Sequence, residues 1–204
     1  MCNEQEVASA YMEMMAMDFF DTIRRRRSIR KYTSDPIPLG HLKQMLEAAR
    51  LAPSAGNYQP WKFVVVRDPT TRQQLAVAAR RQNFLAGAAA IIVVCADANV
   101  YLPPPPREPG VLLVPPCFES DVMIAVEHLV LAATALGYGS CWVGAFNERD
   151  VKQVLGIPMR LKVVALVALG VAAEAPQPLS RKPLSELVCF EKYEQAKHTA
   201  QADV

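Results

Sequence analysis

Apolar positions along this chain repeat with two different periods, and the alternation between them outlines the fold. Met15, Phe19, Phe20 and Ile23 share one helical face, which predicts an amphipathic helix from about Met12 to Arg26. Leu42, Met45, Leu46 and Ala49 repeat that spacing and predict a second helix from about Leu39 to Leu51, stopped by Pro53. Three runs have no polar alternation at all: Trp61–Arg67 (WKFVVVR), Ala90–Ala96 (AIIVVCA) and Leu161–Val171 (LKVVALVALGV). Such β-branched runs predict strands buried on both faces. Asp68-Pro69 supplies an N-cap and a first-turn proline for a helix reaching about Arg80. Glu119–Leu136 carries a wide apolar stripe of Val122, Ala125, Val126, Leu129, Val130 and Ala133. A short strand, Ser140–Phe146, follows, and Asn147 caps a helix that ends at Gly156.

Strands of this kind separated by helices imply a sheet covered on both faces, an α/β or α+β sandwich. One segment breaks the pattern. Tyr101–Phe118 holds seven of the sixteen prolines, four of them consecutive at Pro103–Pro106. It favours polyproline II and is either a surface spacer or a stiff flap over a site. A Pro-rich stretch from Ala175 leads to Val188 and a polar end. The expected organisation is one domain over 1–204, with its core at about 18–188, an insertion at 101–118 and a tail at 189–204.

Composition narrows the function classes. The 204 residues are 51% hydrophobic and 21% charged, with a net charge of +2, so no global field favours nucleic acid or an anionic membrane. The longest apolar run, Phe84–Ala96, is too short to span a bilayer. The N-terminal region carries Glu4 and Glu6 and no basic-then-apolar leader, so a cytoplasmic location is expected. Five cysteines are widely spaced without a Cys-x-x-Cys, and His41, His128 and His198 lie near none of them at ligand spacing. No metal site is expected.

Four segments hold candidate chemistry. Arg24–Lys31 (RRRRSIRK) packs six basic side chains and a hydroxyl into eight residues. A solvated helix end, a nucleic-acid contact and a phosphate site all fit that composition. In extended chain Arg26, Ser28 and Arg30 point the same way and can converge on one anion. Each such charge-assisted bond is worth about 1.5–3 kcal/mol. Pro53–Trp61 (PSAGNYQPW) is either a helix-to-strand turn or a small-residue surface for a planar ligand. Leu136–Phe146 (LGYGSCWVGAF) contains Gly-x-Gly, but Trp142 stands at the third glycine position and the motif leaves a helix to open a strand. That context excludes a dinucleotide fingerprint. The backbone N–H groups of Gly144 and Ala145 could instead face a ring. Arg181-Lys182 is a solvated pair or the completion of an anion pocket. No Gly-x-Ser-x-Gly, Walker or His-Glu-x-x-His pattern is present. His128 reads as a satisfied core histidine. With no side-chain nucleophile or acid–base pair in view, a cofactor would have to carry any reaction.

RRSIRKY at Arg26–Tyr32, PSAGNYQPW at Pro53–Trp61 and GYGSCWVGAF at Gly137–Phe146 together resemble the signatures of the nitroreductase family of FMN-dependent enzymes, over about Asp18–Val188. The resemblance implies an α+β fold, a three-layer α/β sandwich whose mixed central sheet is flanked by helices. It also implies an intertwined homodimer with flavin at the interface. It places the FMN phosphate and ribityl chain on Arg26, Arg27, Ser28 and Arg30, joined by Arg181 and with Lys182 as a neighbour. Pro53, Ser54, Ala55 and Asn57 would line the flavin from the partner subunit, with Gln59 nearby. Trp142, Val143, Gly144 and Ala145 would lie against the isoalloxazine, the Gly144 and Ala145 amides facing its N5 and O4 edge. Arg80 and Arg81 are candidates for the charge near N1.

The implied activity is a ping-pong transfer of hydride from NAD(P)H to a nitroaromatic, quinone or other conjugated small-molecule acceptor. The cofactor carries the chemistry, and no catalytic side chain is expected. Specialised relatives that fragment flavin or dehalogenate an aromatic, and a non-enzymatic FMN-binding protein, are the alternatives. A nucleic-acid binder using Arg24–Lys31 is a further one, and it would show steep salt dependence. The proline run at Tyr101–Phe118 departs from the family's common pattern in a region that often shapes access to the flavin.

Overall fold

Two strands buried along nearly their whole length set the plan of the molecule. In the computed structural model, which describes residues 18–101 and 118–193, Ala90–Ala96 (β2) is buried at every position and Lys162–Gly170 (β4) nearly so. They pair antiparallel at the centre of a four-stranded sheet of order β1-β2-β4-β3. Trp61–Val66 (β1) and Gly139–Val143 (β3) close its two sides, also antiparallel.

The mixed sheet implied by resemblance is therefore corrected for the described strands. Every ladder is antiparallel, and the parallel component is a single bridge between Ser28 and Ser140. An unbroken apolar run reports burial on both faces and is silent on strand direction.

The helices Phe19–Arg25 (α1), Leu39–Arg50 (α2), Pro69–Ala78 (α3), Phe84–Gly87 (α4), Phe118–Ala135 (α5) and Glu148–Leu155 (α6) complete the fold. Alternate residues of β2 divide between two cores. Ile92 and Val94 face Met45 of α2 and Leu129 of α5. Ile91, Val93 and Cys95 face Leu75 of α3, Leu85 of α4 and Val151 of α6. The result is a three-layer sandwich.

Local chemistry fixes the helix ends. The Asp68 carboxylate accepts the Thr71 N–H at 2.7 Å with Pro69 in the first turn, and Asn147 Oδ1 accepts the Arg149 N–H at 3.1 Å. Gly156 ends α6 in the left-handed region at φ 64°. Three elements differ from the sequence expectation. α4 is a turn of helix inside the apolar run that begins at Phe84. β3 ends at Val143, short of Phe146. The apolar face of α1 stays largely uncovered, with Phe19 61%, Phe20 63% and Ile23 46% exposed. The expected flap or spacer at 101–118 and the helix start before Asp18 lie almost wholly outside the described residues. No helix among the described residues is long and apolar enough to cross a membrane.

The segment after α1 crosses the end of the sheet. The Ile29 N–H donates to the Ser140 carbonyl at 2.8 Å, and the Thr33 N–H to that of Val171 at 2.9 Å. Two glycines that face each other across the β3–β4 ladder, Gly139 and Gly170, allow it to lie this close. A Cβ on Gly139 would sit 2.9 Å from Ile29, and one on Gly170 would sit 2.7 Å from the Tyr32 ring.

Candidate functional site

The basic segment begins where α1 runs out. The Arg26 N–H makes the last helical bond, to the Thr22 carbonyl at 3.0 Å, and the backbone turns extended. Its arginines then take different tasks. Arg24 pairs with Asp21 at 2.6 Å on the surface. Arg27 turns back on the helix end, its Nη1 donating to the Arg24 carbonyl at 2.6 Å and that of Arg26 at 2.8 Å. Among the described residues neither Arg26 nor Arg30 has a carboxylate partner. Arg30 lies instead over the Phe84 ring, 5.9 Å from its centroid.

Arg26, Arg27, Ser28 and Arg30, with Ile23 and Arg24 of the helix end, form one wall of a cavity of about 410 Å³, and Pro176–Leu179 with Arg181 form the other. The Arg181 guanidinium curls onto the Leu179 and Ser180 carbonyls at 3.3 Å each. Lys182 is not part of the lining and reaches Glu186 at 3.9 Å. Five residues singled out in the sequence thus share one cationic cavity. Its two walls are tied together by Glu174, whose Oε1 accepts the Arg30 N–H at 2.6 Å and the Lys31 N–H at 3.1 Å.

The buried phenol and thiols of this region and of the sheet hold their protons. Burial, reinforced by Cys141, pushes the Tyr32 phenol far above its usual value, and its hydroxyl donates to the Ile29 carbonyl at 2.5 Å. Burial also raises Cys141, against the pull of Arg30 and Arg26, and pushes the Cys95 thiol up to about 11. Neither thiol is a ready nucleophile at neutral pH. His128 is half-buried with Nδ1 3.2 Å from the Ala48 carbonyl. No cluster of three or more His, Cys, Asp or Glu side chains suited to a metal ion occurs among the described residues.

The other candidates stand apart from the cavity lining. At the end of β3, Val143 is buried while Trp142, Gly144 and Ala145 are exposed. A Cβ on Gly144 would meet nothing within 4 Å, so the backbone there faces open space. Gln82 supports this turn, donating from Nε2 to the Ala145 carbonyl at 3.0 Å and to that of Ala79 at 2.9 Å. Arg80 and Arg81 precede it in the left-handed region, at φ 55° and 58°.

The Pro53–Gln59 loop contributes nothing to the cavity. Pro53, Ala55, Asn57 and Gln59 are exposed and Ser54 is half-buried. Ser54 organises the loop, accepting the Gln59 N–H on Oγ at 2.9 Å and the Asn57 N–H on its carbonyl at 3.0 Å. Asn57 and Gln59 are held at positive φ, 56° and 51°. The loop is anchored by Asp121, a 5%-exposed acid on α5 whose carboxylate accepts the Ala55 N–H at 2.9 Å. Sequence reasoning missed Asp121 and Glu174. An acid beside Val122 in an apolar stripe was a signal for the first; nothing local marked the second.

Most of the chain is similar to proteins already known. The nitroreductase family profile matches residues 23–171. An NADH dehydrogenase of Thermus thermophilus is 36% identical over 189 residues, covering 81% of this chain and 92% of that protein. A putative NADH dehydrogenase/NAD(P)H nitroreductase of Archaeoglobus fulgidus is 39% identical over 152 residues, covering 72% and 82%. Among solved structures, an NADPH:FMN oxidoreductase of Vibrio harveyi complexed with NAD+ superposes with a TM-score of 0.76 at 27% identity, covering 87% and 78%. The chain belongs to the nitroreductase family.

Proposed function

We propose that this chain is an FMN-dependent NAD(P)H oxidoreductase that works as a homodimer and reduces a conjugated small-molecule acceptor. One observation carries the reading. Two guanidinium groups, Arg26 and Arg30, flank the Ser28 hydroxyl in one cavity with no carboxylate partner among the described residues. A phosphomonoester supplies the missing negative charge, and Arg181 stands on the opposite wall to meet it. The residues present therefore fit the group.

FMN, when bound, would supply the hydride chemistry between NAD(P)H and the acceptor. The chain's own residues bind and orient. Arg26, Ser28, Arg30 and Arg181 hold the phosphate. Arg27 closes the helix end so that its neighbours face the cavity. Gly144 and Ala145 would offer backbone N–H groups to a ring placed over their exposed backbone, where fixed dipoles favour developing charge without titrating. Trp142, exposed beside them, would extend that surface, while the Val143 side chain packs into the core beneath it.

The second subunit accounts for the remaining features. Pro53, Ser54, Ala55, Asn57 and Gln59 form an outward-facing loop, suited to a neighbour's flavin rather than its own. The face of α1 and the arm carrying Leu179 (80% exposed), Leu184 (72%) and Phe190 (84%) leave apolar surface uncovered. Surface of that extent in a well-folded chain is characteristic of an interface.

Anaerobic spectroscopy tests the activity. The yellow protein is expected to bleach on adding NADH or NADPH and to recover colour when a quinone or nitroaromatic is added. Stable flavin binding with no bleaching by either nucleotide would favour storage over turnover.

A further inference from the structure

We propose that Glu174 is a positioning residue for phosphate recognition, holding the Arg26–Arg30 wall and the Pro176–Arg181 wall at the spacing the ligand requires. The proposal rests on the FMN reading above. Glu174 stands where the chain leaves the sheet, two residues before the second wall begins. Its Oε1 bridges to the Arg30 and Lys31 N–H groups at 2.6 and 3.1 Å, across 144 and 143 residues of sequence. The Ala173 N–H adds a bond to the Lys31 carbonyl at 2.9 Å. These three contacts splice the two walls at one point.

The sign of its charge separates positioning from electrostatics. A carboxylate repels a phosphate, so Glu174 does not serve the anion by its charge. It lines a neighbouring cavity of about 330 Å³ with Arg25 and Tyr138, which shares Arg27 and Pro176 with the first, and it is absent from the lining of the 410 Å³ cavity. The Arg30 and Lys31 N–H groups are therefore engaged behind the segment. Phosphate is left to side chains whose aim depends on where that backbone is held.

Reach and charge can be varied independently. Glu174→Gln keeps an oxygen at the same distance and removes the charge; Glu174→Asp keeps the charge and shortens the reach by one methylene. FMN and riboflavin affinities are measured on the full-length protein, because a change confined to phosphate recognition alters only the first. Glu174→Ala and Glu174→Asp are expected to lower FMN affinity by roughly tenfold or more, and Glu174→Gln to match or exceed wild type. Riboflavin affinity is expected to stay within about twofold in all three.

An unchanged FMN-to-riboflavin ratio in Glu174→Asp, or Gln behaving like Ala, overturns the positioning role. Equal losses for both flavins would also overturn it, as the mark of general structural damage. Wild-type protein that binds neither flavin, or both equally, defeats the FMN reading itself.

Discussion

Placing a methyl group on Gly139 tests how the basic segment is seated. The added Cβ would lie 2.9 Å from Cβ, Cγ1 and Cγ2 of Ile29. Comfortable carbon–carbon contact begins near 3.5 Å, so the two must separate by about 0.6 Å. A change of rotamer cannot relieve this, because one contact is to the Ile29 Cβ, which moves only with the backbone. That backbone is bonded to the Ser140 carbonyl at 2.8 Å, and Tyr32 is pressed on Gly170 a few residues further on. Overpacking of this kind costs about 1–3 kcal/mol. In a domain of this size each kcal/mol lowers Tm by about 2–4 °C.

Gly144→Ala is the control, since its Cβ enters open space. Gly139→Ala should lower both Tm and FMN affinity, because Ser28 and Arg30 shift with Ile29. Gly144→Ala should keep Tm and, with a ring system against that backbone, weaken flavin binding alone. Thermal melts of flavin-free protein at one fixed concentration, paired with FMN titration, separate the two effects. A Gly139→Ala protein with wild-type Tm and wild-type flavin affinity would refute the seating described here.

Acid stability tests a second cluster. Burial opposes ionisation of Glu148, but Lys152 at 2.8 Å, the Val163 N–H at 3.0 Å and Lys162 at 3.2 Å outweigh it and bring the carboxyl down to about 2 from 4.5. A depressed acid contributes stability above its unfolded value, and loses it as pH falls from 4.5 towards 2. Glu148→Gln should be less stable at pH 7 by on the order of 2 kcal/mol, since Lys152 is left buried without its partner, and should lose less than wild type on acidification. Urea midpoints at several pH values check this, and parallel pH profiles would contradict it. Deleting everything from Gln177 onward should leave the sheet and helices folded but yield a monomer in sedimentation, because that arm carries exposed Leu179, Leu184 and Phe190. A truncated protein that stays dimeric would remove the arm from the interface.

What the residues announced and what they hid follow from the range of the interactions. β2 and β4 were legible because double-sided burial leaves an unbroken apolar run, and the caps at Asp68 and Asn147 because capping is local. Strand direction was not legible, since it depends on partners far along the chain. α4 was hidden because one helical turn inside an apolar run has no period to detect. The stripe on α1 announced a face needing cover without saying which chain supplies it. At the site, composition grouped Arg26, Arg27 and Arg30 together. Only geometry separates Arg27, which spends itself on two carbonyls, from its neighbours. At 53–59 and 144–145 small residues left a planar ligand open as one reading, and only resemblance to a family gave them a flavin; Asp121 and Glu174 emerge only with three-dimensional contacts.

Phosphate capture around Ser28 is measured directly by flavin stoichiometry. After incubation with excess FMN and removal of free ligand, wild-type protein should retain one flavin per chain. The Arg26→Ala, Arg30→Ala double variant should be nearly colourless yet keep its secondary structure and dimeric mass, since each lost guanidinium removes about 1.5–3 kcal/mol of binding. A double variant as yellow as wild type, or a wild type that never takes up flavin, would contradict it.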